Sequence, residues 1–119
     1  MNKTKYKVKI DKIHLMNILD SIKKCSSKAC ISFDNNVEFW FYDDKDILHK
    51  INVKYESYDY KFRENTTRIL IDPHLLYTKI ENLNNINKYD YVCLSIKYKI
   101  KRGIKRDENI KISIICQNK

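Results

Sequence analysis

The sequence predicts an α+β domain: a mainly antiparallel sheet with two helices packed on one of its faces. Three observations lead there. Apolar and polar residues alternate with a period of two over most of the chain, as half-buried strands require. The apolar spacing lengthens to three and four in only two places, and each of these begins on an aspartate. At 119 residues the chain is long enough for one core and too short for two, so residues 1–119 read as a single domain.

Tyr6, Val8 and Ile10 alternate with Lys5, Lys7 and Lys9, which gives a first strand with one buried and one solvated face. From Asp11 onward Leu15, Ile18, Leu19, Ile22 and Cys25 fall three and four apart, the stripe of an amphipathic helix. Asp11 suits its N-terminus, and Lys23 and Lys24 suit the negative end of its dipole. Segments 29–33 and 37–42 alternate around Asp34-Asn35-Asn36, whose asparagines tolerate the positive φ of a hairpin turn. Over 48–55, Ile51, Val53 and Tyr55 share one face and Lys50, Asn52 and Lys54 the other. Tyr58, Tyr60 and Phe62 alternate in a fifth strand, and 68–71 forms a sixth.

Asp72-Pro73 opens the second helix, with the acid as N-cap and proline at the first helical position, where its missing N–H is no loss. Leu76, Ile80 and Leu83 form a narrow stripe, and Asn84-Asn85 ends it. Val92, Leu94, Ile96 and Tyr98 alternate over 91–100, and Ile110, Ile112 and Ile114 in a last strand. Between these two lies a basic turn, Lys101 to Arg106, around the only glycine.

Composition narrows the function classes. Apolar residues at 43% and charged residues at 33% describe a soluble globular chain, and no apolar run approaches the roughly 20 residues of a membrane helix. The N-terminus runs straight into an alternating strand rather than an apolar leader, so the expected location is intracellular, in nucleus or cytoplasm. Cys25, Cys30, Cys93 and Cys116 have no metal-ligand spacing and read as small buried apolar residues. The net charge of +9 points to a polyanion, with nucleic acid the common one inside cells. The crowding of Lys, Asn, Ile and Tyr is also what an A+T-rich genome, viral or other, produces, so part of that charge is compositional.

No catalytic constellation emerges. His14, His49 and His74 lie far apart in sequence with no nucleophile in a recognisable setting, and there is no glycine-rich phosphate loop. Asp43, Asp44 and Asp46 lack the spacing and glycine of a calcium loop and read as a solvated turn. No cofactor or metal is implied. Trp40 and Tyr42 alternate with Phe39 and Phe41, so one pair faces outward, covering an edge or an interface or offering a stacking platform.

The order strand, helix, five strands, helix, two strands resembles one domain of the sliding DNA clamp of the proliferating-cell-nuclear-antigen type. The likeness is carried by Ile18-Leu19-Asp20-Ser21-Ile22-Lys23, by Asp59-Tyr60-Lys61-Phe62, and by Ile69-Leu70-Ile71-Asp72 leading into Leu76-Tyr77-Thr78-Lys79-Ile80. The resemblance implies a non-catalytic processivity factor in which sheets form the outside of a ring and helices line a hole for duplex DNA. Contact would then be electrostatic and sequence-independent. It assigns Lys12, Lys23, Lys24 and Lys79 to the DNA-facing side, with Lys23 aligning with a DNA-facing lysine of the family. The implied partners are duplex DNA and a DNA polymerase or transcription subunit, within a homo- or hetero-oligomer.

The chain departs from the pattern at Met16 and Asn17, where the family often has lysines. It departs again in the second helix, whose outward face reads His74, Thr78, Glu81 and Asn82. Read as a single domain, it is expected to lack the family's second domain and the linker under which partner peptides dock, so that six single domains would stand in for three double ones. The alternative is a protein-interaction subunit of a replication or transcription complex that keeps the fold without the ring.

Overall fold

The computed structural model describes residues 3–33, 36–61, 68–83, 86–99 and 111–117. The turn residues Asp34 and Asn35, Phe62, Asn84-Asn85, Ile100, Ile110 and the basic turn over 101–106 lie outside these. In chain order the elements are β1 (Lys3–Asp11), α1 (Lys12–Cys25), β2 (Ala29–Ser32), β3 (Glu38–Tyr42), β4 (Leu48–Asn52), β5 (Ser57–Lys61), β6 (Arg68–Ile71), α2 (Pro73–Glu81), β7 (Tyr91–Lys99) and β8 (Lys111–Gln117), with a short 3-10 turn at Ile86–Lys88.

Both helices begin where the sequence places them, directly on the end of a strand. The Asp11 carboxylate accepts the His14 backbone N–H at 3.0 Å, and the Asp72 carboxylate accepts that of Leu75 at 3.0 Å. Each cap satisfies one of the amide donors that a helix start leaves without an internal partner. In the second helix Pro73 follows at once.

The strands form two four-stranded antiparallel sheets, ordered β5-β1-β7-β8 and β4-β3-β2-β6. The expectation drawn from alternation is one sheet beneath two helices, and the split has a local cause. β4 stops at Asn52, where the Val53 amide turns to the Val37 carbonyl at 2.9 Å. Three residues later the Glu56 amide donates to Lys9 of β1 at 2.8 Å. The link between these bonds thus carries the chain from one sheet to the other. Tyr55, expected on the inner face of a longer strand, falls in this link and is exposed.

The pairing is reciprocal. β1, which leads into α1, pairs with β7, which follows α2; β6, which leads into α2, pairs with β2, which follows α1. A single core joins the halves. Tyr6, Val8, Ile10, Leu94 and Ile96 from the first sheet and Ile31, Phe39 and Ile69 from the second close on Leu15, Leu19 and Ile22 of α1 and Leu76 and Ile80 of α2. Across the junction the Tyr6 and Phe33 rings stack at 4.5 Å, with Tyr58 against both. Burial at this scale contributes roughly 1.5–3 kcal/mol for each large apolar side chain removed from water.

The cysteines are free thiols. Cys93 is buried as expected, but Cys25 is exposed, because it is the last residue of α1 and lies past the turn in which Ile22 is still covered.

Candidate nucleic-acid interface

The two helices lie side by side on the core, and the faces they turn away from it form the surface assigned to DNA. On α1 the stripe of Leu15, Ile18, Leu19 and Ile22 is buried. Spacing then puts Ile13, Asn17, Asp20 and Lys24 on the opposite side. Ile13 heads that row and is 66% exposed. It escapes a sequence reading that looks only for lysines, although the same i, i+4 spacing that finds Asn17 leads back to it. At the outward-facing positions of α2 and its cap, His74, Glu81 and Asn82 are exposed and Thr78 is half-buried, so no lysine or arginine stands among them.

The four assigned lysines do not form one cluster. Lys12, at the first position of α1, is half-buried, and its ammonium donates to the Ile86 carbonyl at 3.0 Å, tying α1 to the 3-10 turn. Lys23 and Lys24 sit at the other end of the helix, about 17 Å away at 1.5 Å per residue. Both pair with Asp20, Lys24 at 3.0 Å and Lys23 at 3.6 Å. The Lys24 hydrogen bond, helped by the field of Lys23, holds the Asp20 carboxyl below its ordinary value. Lys23 also lies 3.9 Å from the centre of the Tyr77 ring on α2, a cation–π contact that bridges the helices. Lys79 is exposed on the far flank of α2, beside Leu75, Ile112 and Ile114. Lys24 and Lys79 therefore remain the ammonium groups most open to a ligand on this layer.

Other readings from sequence resolve structurally. The Asp43 carboxylate accepts the backbone amides of Lys45 at 2.8 Å and Ile47 at 3.0 Å and meets His49 Nε2 at 2.8 Å, so it shapes the β3–β4 turn. The His49 bond, with those amides, holds the Asp43 carboxyl below its ordinary value. Among the described residues no three His, Cys, Asp or Glu side chains gather as a metal site. Phe39 and Phe41 are buried, leaving Trp40 and Tyr42 outward. The Trp40 ring already carries two cations, Lys50 at 4.2 Å and Arg68 at 4.0 Å. Beside it opens a groove of about 380 Å³ between Tyr42, Leu48 and Leu70. Neither the cations nor the groove is visible in sequence, because their residues come from β2 and the link before it, β3, β4 and β6.

No family model matches the chain, and no curated protein matches it either. Among solved structures it is similar to DNA polymerase III, beta chain, from Streptococcus pneumoniae TIGR4, with a TM-score of 0.60 at 10% sequence identity. The fold is that of a clamp domain. The likeness covers 93% of this chain and only 30% of the other, so this chain spans less than a third of that protein's length. At this identity it speaks for the fold alone, and the match is to a bacterial polymerase subunit rather than to the antigen type that the sequence motifs resemble.

Proposed function

We propose that this chain is a clamp-like, non-catalytic DNA-binding processivity factor, working inside the cell to tether a polymerase or related machinery to duplex DNA. The observation that carries this reading is the fold: two sheets and two adjacent helices that match a polymerase clamp subunit over 93% of the chain. A single domain encloses nothing, so the reading requires several copies, or copies with partner chains, to close around the duplex. The outer strands β4, β5, β6 and β8 end their sheets and are the edges through which such a ring would join.

A topological tether has a signature that simple affinity lacks. The protein, with its native partner chains if it has them, should stay on a nicked circular plasmid through a high-salt wash and leave the same plasmid once it is linearised. Equal loss from both forms, together with a monomeric mass by light scattering, would remove the ring. The second reading, an interaction subunit that keeps the fold without encircling DNA, is favoured by the internal pairing of Lys12 and Lys23 and by the apolar groove beside Trp40. It predicts that groove substitutions such as Leu70→Glu abolish complex formation while DNA retention is absent from the start.

A further inference from the structure

A dense array of positive charge lies on neither helix. Tyr6, Val8 and Ile10 are fully buried, so the alternation of β1 turns Lys5, Lys7 and Lys9 to the other side of the sheet, away from the helices. Residues directly opposite one another in an antiparallel pair share a face. Lys5 is opposite Lys97 of β7, Lys7 opposite Ser95 and Lys9 opposite Cys93. On its other side Lys5 is in register with Lys61 of β5, and Lys97 with Lys111 of β8, so one rung has lysine on all four strands. Burial pushes the Cys93 thiol up, with Asp59 adding to the rise and the fields of Lys7, Lys9 and Lys5 opposing it.

Among the described residues three acids lie on or beside this face: Asp59 opposite Lys7, Asp11 opposite Tyr91 with its carboxylate engaged by the His14 amide, and Glu56, which accepts the Tyr91 hydroxyl at 3.4 Å. The Lys9 ammonium lies 4.7 Å from the centre of the Tyr91 ring. Lys5, Lys7 and Lys97 are in none of the ion pairs formed among the described residues. Like charges directly opposite one another destabilise a ladder. Codon bias explains an abundance of lysine, but not its register on adjacent strands, where Asn or Tyr would satisfy the same A+T-rich bias.

We infer that the outer face of the β5-β1-β7-β8 sheet binds the phosphate backbone of duplex DNA, back to back with the helix layer and whether or not a ring forms. From Lys5 to Lys9 the strand advances about 14 Å, and four strands span a similar width. Over that length a duplex carries on the order of eight negative charges. Among the described residues this face has no open aromatic on which unpaired bases could stack, since Tyr91 is buried beneath Lys9, which favours a duplex over a single strand. Among the described residues its exposed large apolar side chain is Ile115, opposite Cys93, short of the apolar belt that holds a protein on a membrane.

The test is equilibrium binding of the full chain to a short linear duplex, over about 50 to 200 mM salt. Three triple variants are compared: Lys5→Gln, Lys7→Gln, Lys9→Gln on the sheet; Lys23→Gln, Lys24→Gln, Lys79→Gln on the helices; and Lys28→Gln, Lys45→Gln, Lys50→Gln as exposed lysines on the side of the other sheet. The sheet triple should flatten the slope of log affinity against log salt by about three and weaken binding on the order of a hundredfold near 0.1 M salt. The third triple should change binding only about twofold, as bulk charge alone would. Equal losses from the first and third triples would overturn the sheet site, and so would a loss confined to the helix triple, which leaves the clamp reading standing. If the sheet triple loses binding only to vesicles of phosphatidylcholine and phosphatidylserine, the ligand is a membrane and the inference falls. Lys7→Gln alone, the mildest change, should lower the slope by about one; an unchanged slope in a normally folded protein refutes the site independently of the triple.

Discussion

Towards the core the two sheets carry interchangeable residues: Tyr6, Val8, Ile10 and Leu94 in one, Ile31, Phe39, Phe41 and Ile69 in the other. Towards solvent they part. The β5-β1-β7-β8 sheet shows Lys5, Lys7, Lys9 and Lys97, whereas the β4-β3-β2-β6 sheet shows Trp40, Tyr42, Leu48 and Leu70 around a groove. A strand has two faces set by one backbone, and only one of them is committed to folding. The inner faces are alike because both close on one core, and that requirement does not extend to the outer faces.

That contrast can be broken at its strongest point by asking whether the inner faces really are equivalent. Ile10→Ala in the first sheet and Phe39→Ala in the second each remove a fully buried side chain. Each should cost about 3 to 5 kcal/mol, a large part of the stability of a domain this size, read as the unfolding midpoint in denaturant. A difference of several kcal/mol between them would mean that one sheet, not a shared core, holds the fold.

Smaller effects of opposite sign should separate the outer faces. Trp40→Ala deletes a half-buried ring that Lys50 and Arg68 flank, and should destabilise by about 1 to 2 kcal/mol. Lys7→Gln removes a charge from a crowded face and should leave the thermal midpoint unchanged or slightly raised, by less than about 1 kcal/mol. If Lys7→Gln destabilised as much as Trp40→Ala, the lysine face would be part of the fold's support.

The smallest effect is in pH. Asp20 and Asp43 have folded pKa values lowered, first by hydrogen bonds from Lys24 and His49 respectively. Each therefore adds stability that is fully present above the unfolded carboxylate value and is lost as pH falls through the lower folded value. Both sites are open to solvent, so the change should be slight. Denaturant melts between about pH 5 and pH 3 should show a loss of stability that Asp20→Asn and Asp43→Asn each reduce. A wild-type slope retained in both variants would assign the acid sensitivity elsewhere.

Much of the fold was legible because its determinants are local. Alternation, two apolar stripes and the aspartates at 11 and 72 locate eight strands and two helices to within a few residues. The division into two sheets was not legible, since it depends on amide bonds from Val53 and Glu56 to distant carbonyls. The candidate site was legible only as a list of lysines. Lys12 meets a carbonyl 74 residues further along the chain, and Lys23 meets a ring on the other helix. The lysine rung shows the same limit from the other side: its residues alternate plainly in β1, but the register that aligns them with β7 is a property of the fold.

The reciprocal pairing of leading strands has a consequence for how the domain can come apart. Because β1 completes the sheet that follows α2 and β6 the sheet that follows α1, each half of the chain holds a strand that the other half needs. A cut between β5 and β6 should therefore yield two fragments that are each unfolded, with open edges and an uncovered helix stripe, yet that recover the structure when mixed. Synthesis runs into the same interlock. β1 and α1 emerge from the ribosome early, and β1 must wait for β7, whose first residue Tyr91 pairs with Asp11 across most of the chain, before their sheet can close, a long-range pairing of the kind that slows folding.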